Sequence, residues 1–284
     1  MEKRLFPPSA QTAPDSASPE DLATQLREMR AAAERGEPHA QVDLGLRYVD
    51  GDGVDQDFAE ALRWFRKAAD QGDAVGQFNL GVLYASGDGV AQDFKQAFRC
   101  FLQAAKQGYA EAQYNLGYAF DTGEGVAAND AEAAGWYRKA ASQGDARAQT
   151  NLGAACSEGR GVPEDPAQAA VWFRKAADQG DPIAQNNLGA LCAEGRGVPR
   201  DLAQAAVWFR KAAKQGDASA QHSLGTMYFN GIGVKQDFAE AIAWIQKAAD
   251  QGKPESLKLF NKIIDFAIAD PHVTSRPSSQ RKPK

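Results

Sequence analysis

Cysteine is scarce in this sequence, three residues in 284. That number is too small and too odd for a disulfide framework and favours a reducing compartment. Histidine is equally scarce: His39, His222 and His272 form no His-x-x-x-His pair and no Cys/His cluster, so no metal site and no cofactor is expected. No run of about 18 apolar residues occurs, which argues against membrane insertion. The start, Met-Glu-Lys-Arg-Leu-Phe-Pro-Pro-Ser, lacks the apolar core of a secretory signal. A cytoplasmic protein is expected, with secretion independent of a signal peptide as the other route. Positive charge is short as well. The formal net charge is -5, and the one basic stretch without an acid runs from Pro271 to Lys284. A chain of this balance is a poor nucleic-acid binder. What remains, 43% hydrophobic and 24% charged residues, suits a soluble folded chain.

What is abundant is repetition. Leu-Gly recurs at Leu44-Gly45, Leu80-Gly81, Leu116-Gly117, Leu152-Gly153, Leu188-Gly189 and Leu224-Gly225, at a constant step of 36. Gly-x-Gly-Val keeps the same step from Gly51 to Gly231, and Ala-Ala-x-x-Gly closes each unit from Gly72 to Gly252. A bulky residue holds one place in each unit: Trp64, Trp136, Trp172, Trp208 and Trp244, with Cys100 the exception.

The apolar spacing inside a unit is helical, with Ala40, Leu44 and Tyr48 on one stripe and Ala61, Phe65, Ala68 and Ala69 on another. Two amphipathic helices per unit follow. Asp181-Pro182 reads as a cap and first turn, and the first glycine of Gly-x-Gly-Val suits a left-handed helix stop. The second helix is expected to begin after Asp57, Asp93, Asn129, Asp165, Asp201 and Asp237, with Glu or Gln three residues on as in a capping box. Single helix pairs of this length are marginal, so units must stack. The alanines and the Leu-Gly glycine permit close approach, and one Trp per unit is expected to fill the wedge between helices.

The predicted architecture is all-α: a right-handed α/α superhelical solenoid of six 36-residue repeats over 38–73, 74–109, 110–145, 146–181, 182–217 and 218–253. Residues 21–37 read as an N-terminal cap helix, with Glu28 in place of the Trp, and 254–270 as a C-terminal cap helix. Residues 1–20 and 271–284, rich in Pro and Ser, read as disordered.

The unit Ala-x-x-x-Leu-Gly, Gly-x-Gly-Val, Asp, Ala-x-x-Trp, Ala-Ala-x-x-Gly resembles the Sel-one-like repeat (SLR), a relative of the tetratricopeptide repeat. The resemblance spans all six copies. It implies a concave face lined by first helices, and a bacterial scaffold or adaptor that holds a protein or peptide partner in signalling, envelope or secretion pathways. A secreted effector that engages host proteins is the alternative.

At 100° per residue, with Leu44 at the packed centre, the arc facing the groove is apolar and aromatic in the early repeats, at Val42, Leu46, Phe78, Val82, Tyr114 and Tyr118. It turns polar later, at Arg147, Thr150, Ser157, Asn186, Glu194, Ser219 and His222. Such an arc fits a partner segment; packing sideways on neighbouring first helices is the competing reading. The place of Asp43 is Asn in four successive units, Asn79, Asn115, Asn151 and Asn187. By the tetratricopeptide resemblance these asparagines hold a ligand's backbone; bonding to the neighbouring repeat is the plain alternative.

Catalysis is not expected. The glycine loops follow no strand and lack Gly-Lys-Ser/Thr, so they read as turns rather than phosphate loops. Some cysteine-rich bacterial relatives of the family are linked to β-lactam binding or hydrolysis. Here Ser279-Gln-Arg-Lys282 fits Ser-x-x-Lys, without a Ser-Asp-Asn or Lys-Thr-Gly partner, which leaves a hydrolase a remote alternative. Those relatives staple each unit with a cysteine pair. Cys156 and Cys192 instead hold equivalent places in adjacent units, too far apart for a bridge, and read as small core residues. Arg160 and Arg196 lie in two nearly identical turns, which suit an acidic partner or record a duplication.

Overall fold

The glycines and capping residues punctuate the chain where the repeat places them. In the computed structural model, which describes residues 19–269 and the side chains of 20–264, every element among the described residues is a helix. The basic tail, His272 and Ser279–Lys282 lie outside the described residues, as do the ends expected to be disordered, apart from Pro19 and Glu20, which open the first helix. The chain forms two compact units, residues 1–145 and 146–284. The first holds α1 (Pro19–Glu34), α2 (Pro38–Asp50), α3 (Phe58–Asp70), α4 (Ala74–Ser86), α5 (Phe94–Lys106), α6 (Ala110–Thr122) and α7 (Asp130–Ser142). The second holds α8 (Ala146–Glu158), α9 (Pro166–Asp178), α10 (Pro182–Glu194), α11 (Leu202–Lys214), α12 (Ala218–Asn230), α13 (Phe238–Asp250) and α14 (Pro254–Ala269). Within each unit every helix packs on the next along the chain, as an all-α solenoid requires.

Local chemistry sets the ends. The Asp57 carboxylate accepts from the amides of Ala59 and Glu60 at 2.9 and 3.1 Å, Asp93, Asn129 and Asp237 cap their helices in the same way, and Asp165 and Asp201 each accept from the amide three residues on. Each such cap contributes about 1 kcal/mol. The reciprocal half of the capping box differs from expectation. The amide of Asp57 donates to the carbonyl of Tyr48 at 2.9 Å, and its counterparts donate to Tyr84, Phe120, Cys156, Cys192 and Tyr228. The group a Glu or Gln would have satisfied is thus spent on tying the second helix to the end of the first.

The Leu-Gly glycine decides how closely the paired helices approach. A Cβ on Gly45 would lie 2.5 Å from the ring of Phe65; the same holds for Gly117 against Tyr137 and Gly153 against Phe173, both at 2.7 Å. The wedge is therefore filled by Phe65, Phe101, Tyr137, Phe173, Phe209 and Ile245, each one residue after the position expected to do so. The tryptophans sit to the side. Trp64 and Trp208 are buried, Trp136, Trp172 and Trp244 half-buried, and the lysine three residues on lies over each indole, from 3.5 Å at Lys139 to 4.4 Å at Lys247. Lys67, Lys139, Lys175, Lys211 and Lys247 are thus cation–π partners.

A second invariant device is polar. Gln41, Gln77, Gln113, Gln149, Gln185 and Gln221 are buried on the first helices, and each accepts a hydrogen bond from the glutamine before the closing glycine of its own repeat, Gln71 to Gln41 at 2.8 Å through to Gln251 to Gln221 at 2.9 Å. Their own amides donate backward to a carbonyl of the preceding second helix, as Gln185 does to Ala177 at 3.1 Å. No buried side-chain atom of the ladder is left without a partner, which is the condition for burying it.

Candidate partner-binding arc

The arc of the first helices that faces away from the paired second helices differs between early and late repeats. On α2 and α4 it is closed. Val42, Leu46, Phe78 and Val82 are 5%, 4%, 2% and 3% exposed and Asn79 is fully buried, so these five do not line an open groove. Sideways packing accounts for their inner faces. Phe78 lies between Phe101 and Tyr109, with ring centroids at 5.8 and 5.2 Å, and Val42 and Leu46 join the cluster of Phe65, Leu80 and Leu83. Asn79 has no hydrogen-bond partner for either side-chain atom, although both are buried.

On α6 the arc opens. Tyr118 is 42% exposed, with Tyr114 and Asn115 half-buried one turn away on the same side. The Asn115 amide donates to the Glu111 carbonyl of its own helix at 3.0 Å. Tyr114 stacks obliquely on Tyr137, with centroids at 5.9 Å, so its ring is anchored while its edge is partly open.

In the second unit the arc is polar and partly spent on holding repeats together. Thr150 is buried and donates to the Asp181 carboxylate at 3.2 Å, Lys253 donates to Ser219 at 2.9 Å, and His222 shares a 2.9 Å hydrogen bond with Ser256. Desolvation, aided by Lys253, lowers the pKa of His222 from its ordinary 6.5. Asn151 and Asn187 are half-buried on α8 and α10, and neither they nor Asn79 and Asn115 bond a neighbouring repeat's backbone. Arg196 reaches back to the Ser157 carbonyl and the Glu164 carboxylate, at 3.1 and 3.2 Å, while Arg160 pairs with Glu158. Arg196 thus ties its repeat to the preceding one, whereas Arg160 pairs with a residue of its own.

Among the described residues, groups with catalytic potential are not assembled. Cys100, Cys156 and Cys192 are buried thiols outside any disulfide; burial pushes Cys100 up to about 11 and raises Cys192, so neither of these two is a ready nucleophile. Among the described residues no cluster of His, Cys, Asp and Glu could hold a metal, and no helix is long and apolar enough to cross a membrane. The second glycine of the Gly-x-Gly-Val loop packs on the preceding repeat: a Cβ on Gly89 would lie 2.5 Å from the Phe58 carbonyl carbon. Backbone contact, not a phosphate, demands that glycine.

A solenoid of helix pairs with an unspent arc on its first helices is a repeat scaffold. The family model for the Sel1 repeat matches six times in succession, over 38–73, 74–109, 110–145, 146–181, 182–217 and 218–253, and the chain belongs to the Sel1 repeat family. Among solved structures it is similar to a protective antigen of uropathogenic Escherichia coli with an SLR fold, at 39% identity over 86% of this chain and TM-score 0.80. This chain covers 52% of that antigen, about half its length. It is also similar to a Sel1 repeat protein from Oxalobacter formigenes, at 33% identity over 81% of this chain and 92% of the other, with TM-score 0.72. No curated protein sequence matches it. Sel1 repeat proteins are generally protein-interaction scaffolds and typically non-enzymatic.

Proposed function

We propose that this chain is a non-catalytic adaptor that holds a segment of a protein partner on the open arc of its first helices, in a bacterial signalling, envelope or secretion pathway. The observation that carries this reading is Tyr118, a large aromatic left 42% exposed on a helix whose opposite face is fully packed. Tyr and an adjacent amide make an adaptable surface: the ring offers apolar area at small entropic cost, and Asn115 offers hydrogen bonds to a main chain. Asn151 and Asn187 extend the same chemistry within the second unit. The test is affinity capture with the purified chain beside Tyr118→Asp, whose melting should be unchanged. A partner retained by the first and lost by the second supports the reading; identical retention by both removes it.

The likeness to a protective antigen supports a second reading, an exported protein that meets host proteins with the same arc. A reporter fusion that remains inside the producing cell would eliminate it.

A further inference from the structure

α1 and α14 are opposite halves of a repeat. α1 holds the place of a second helix, with Asp21 one step before Asp57, and among the described residues no first helix precedes it. α14 holds the place of a first helix, with Phe260 one step after Leu224, and no second helix follows it there. Each therefore exposes the face that a repeat buries against its paired helix. On α14, Leu257 is 55% exposed and Lys258, Asn261 and Lys262 are exposed, at the places of Gln41, Val42, Gly45 and Leu46, all buried. On α1, Gln25 and Glu28 are exposed and Met29 is half-buried, at the places of Ala61, Trp64 and Phe65, also buried, and Leu22 one turn earlier is 36% exposed.

The departures on the two faces match one another. Within a repeat the glycine of the first helix meets two residues of the second: a Cβ on Gly81 would lie 2.7 Å from the Phe101 ring and 3.1 Å from the Cβ of Cys100. The 36-residue step carries these three places to Asn261, Met29 and Glu28. Where α14 gains a side chain in place of the glycine, α1 carries a flexible Met in place of the ring, and a carboxylate able to accept from the Asn261 amide. Both ladder glutamines are replaced together, by Leu257 and Arg35, so neither face brings an amide that burial would orphan, and the stem of Arg35 can cover Leu257. Charge agrees as well. The α14 face carries Lys258 and Lys262; the α1 face carries Glu28, while Arg35 is paired with Glu37 at 2.7 Å.

We propose that α14 of one copy receives α1 of a second copy in the register of a repeat, a head-to-tail self-association. Such a contact joins unlike surfaces, so it builds chains or rings rather than a two-fold dimer. One helix on one helix is a small contact, so the association is weak and depends on concentration. It would present several copies of the open arc together, and a multivalent partner would gain from that. The proposal goes beyond the adaptor reading and does not depend on it.

Two variants of the full chain, Glu28→Cys and Asn261→Cys, test the register. Mixed and oxidised, they should give a dimer whose disulfide joins position 28 of one copy to position 261 of the other, because the Cβ atoms at these places approach closely enough for a bridge. Each variant oxidised alone should give no more dimer than the parent. Sedimentation velocity supplies a second readout. The parent's average sedimentation coefficient should rise with concentration, Glu28→Lys should weaken association about fivefold, the upper scale of an exposed ion pair, and Glu28→Lys with Lys262→Glu should restore it, a rescue that a folding defect would not give. A parent that stays monomeric at every concentration, a mixed dimer no more abundant than that of either variant alone, or charge reversal without rescue would overturn the proposal. The readout involves no external partner, so its failure leaves the capture experiment with Tyr118→Asp intact.

Discussion

In the first unit the outward arc of α2 and α4 is apolar and shut around Asn79; in the second the same helix positions of α10 and α12 carry Asn186, Ala190, His222 and Thr226, half-exposed and, apart from Ala190, polar. Yet the two regions share one interior. Gly81 against Phe101 in the first unit and Gly189 against Phe209 in the second are the same close approach, and Gln77 and Gln185 are the same ladder rung. The difference teaches a division of labour within a repeat: the glycine, the ring and the glutamines repeat unchanged and specify the stack, whereas the arc varies, packed in α2 and α4 and partly spent on hydrogen bonds between repeats in the second unit.

Predictions that attack this division begin with the ring. Phe173→Ala in the second unit should lose about 3 to 5 kcal/mol in urea unfolding, whereas Trp172→Ala, a half-buried neighbour, should lose less; the reverse order would restore the tryptophan to the wedge. Next comes the ladder. Gln113→Leu in the first unit and Gln185→Leu in the second should each cost about 1 to 3 kcal/mol, since each leaves a buried carbonyl and a glutamine amide short of a partner. Unequal losses would break the claim of a shared interior.

These two devices also mark where the sequence was hard to read. The 36-residue step, the two helices and the capping Asp or Asn were legible because glycines and caps act locally. The ring register was not, because Trp172 and Phe173 are adjacent apolar residues and helical periodicity alone does not say which meets the glycine. The buried glutamines were overlooked for a different reason: polarity suggests exposure, and their signal was recurrence at a fixed place in every unit. For the arc, Tyr118 stands open as its angle on the helix implied, while Val42, Leu46, Phe78, Asn79 and Val82 are buried. A 100° step leaves such positions able to face outward or pack sideways.

A third prediction is confined to the second unit. The lowered pKa of His222 means that the unfolded chain takes up a proton that the folded one resists, so stability is full above 6.5 and declines as pH falls through that value. His222→Asn should flatten this decline in melting temperature; an unchanged pH profile would show that the His222–Ser256 contact is not its source. The smallest effect is expected from Arg196→Ala, about 0.2 to 1 kcal/mol, because its contacts are exposed. A double-mutant cycle with Glu164→Ala measures it.

The most direct test uses two consecutive residues. Gly117 faces the Tyr137 ring, 2.7 Å from where a Cβ would lie, and Tyr118 faces out. In urea unfolding, Gly117→Leu should lose about 1 to 3 kcal/mol or more through overpacking, and Tyr118→Asp should stay within about 0.5 kcal/mol of the parent. Equal losses at the two positions would contradict the separation of a packed interior from a variable arc.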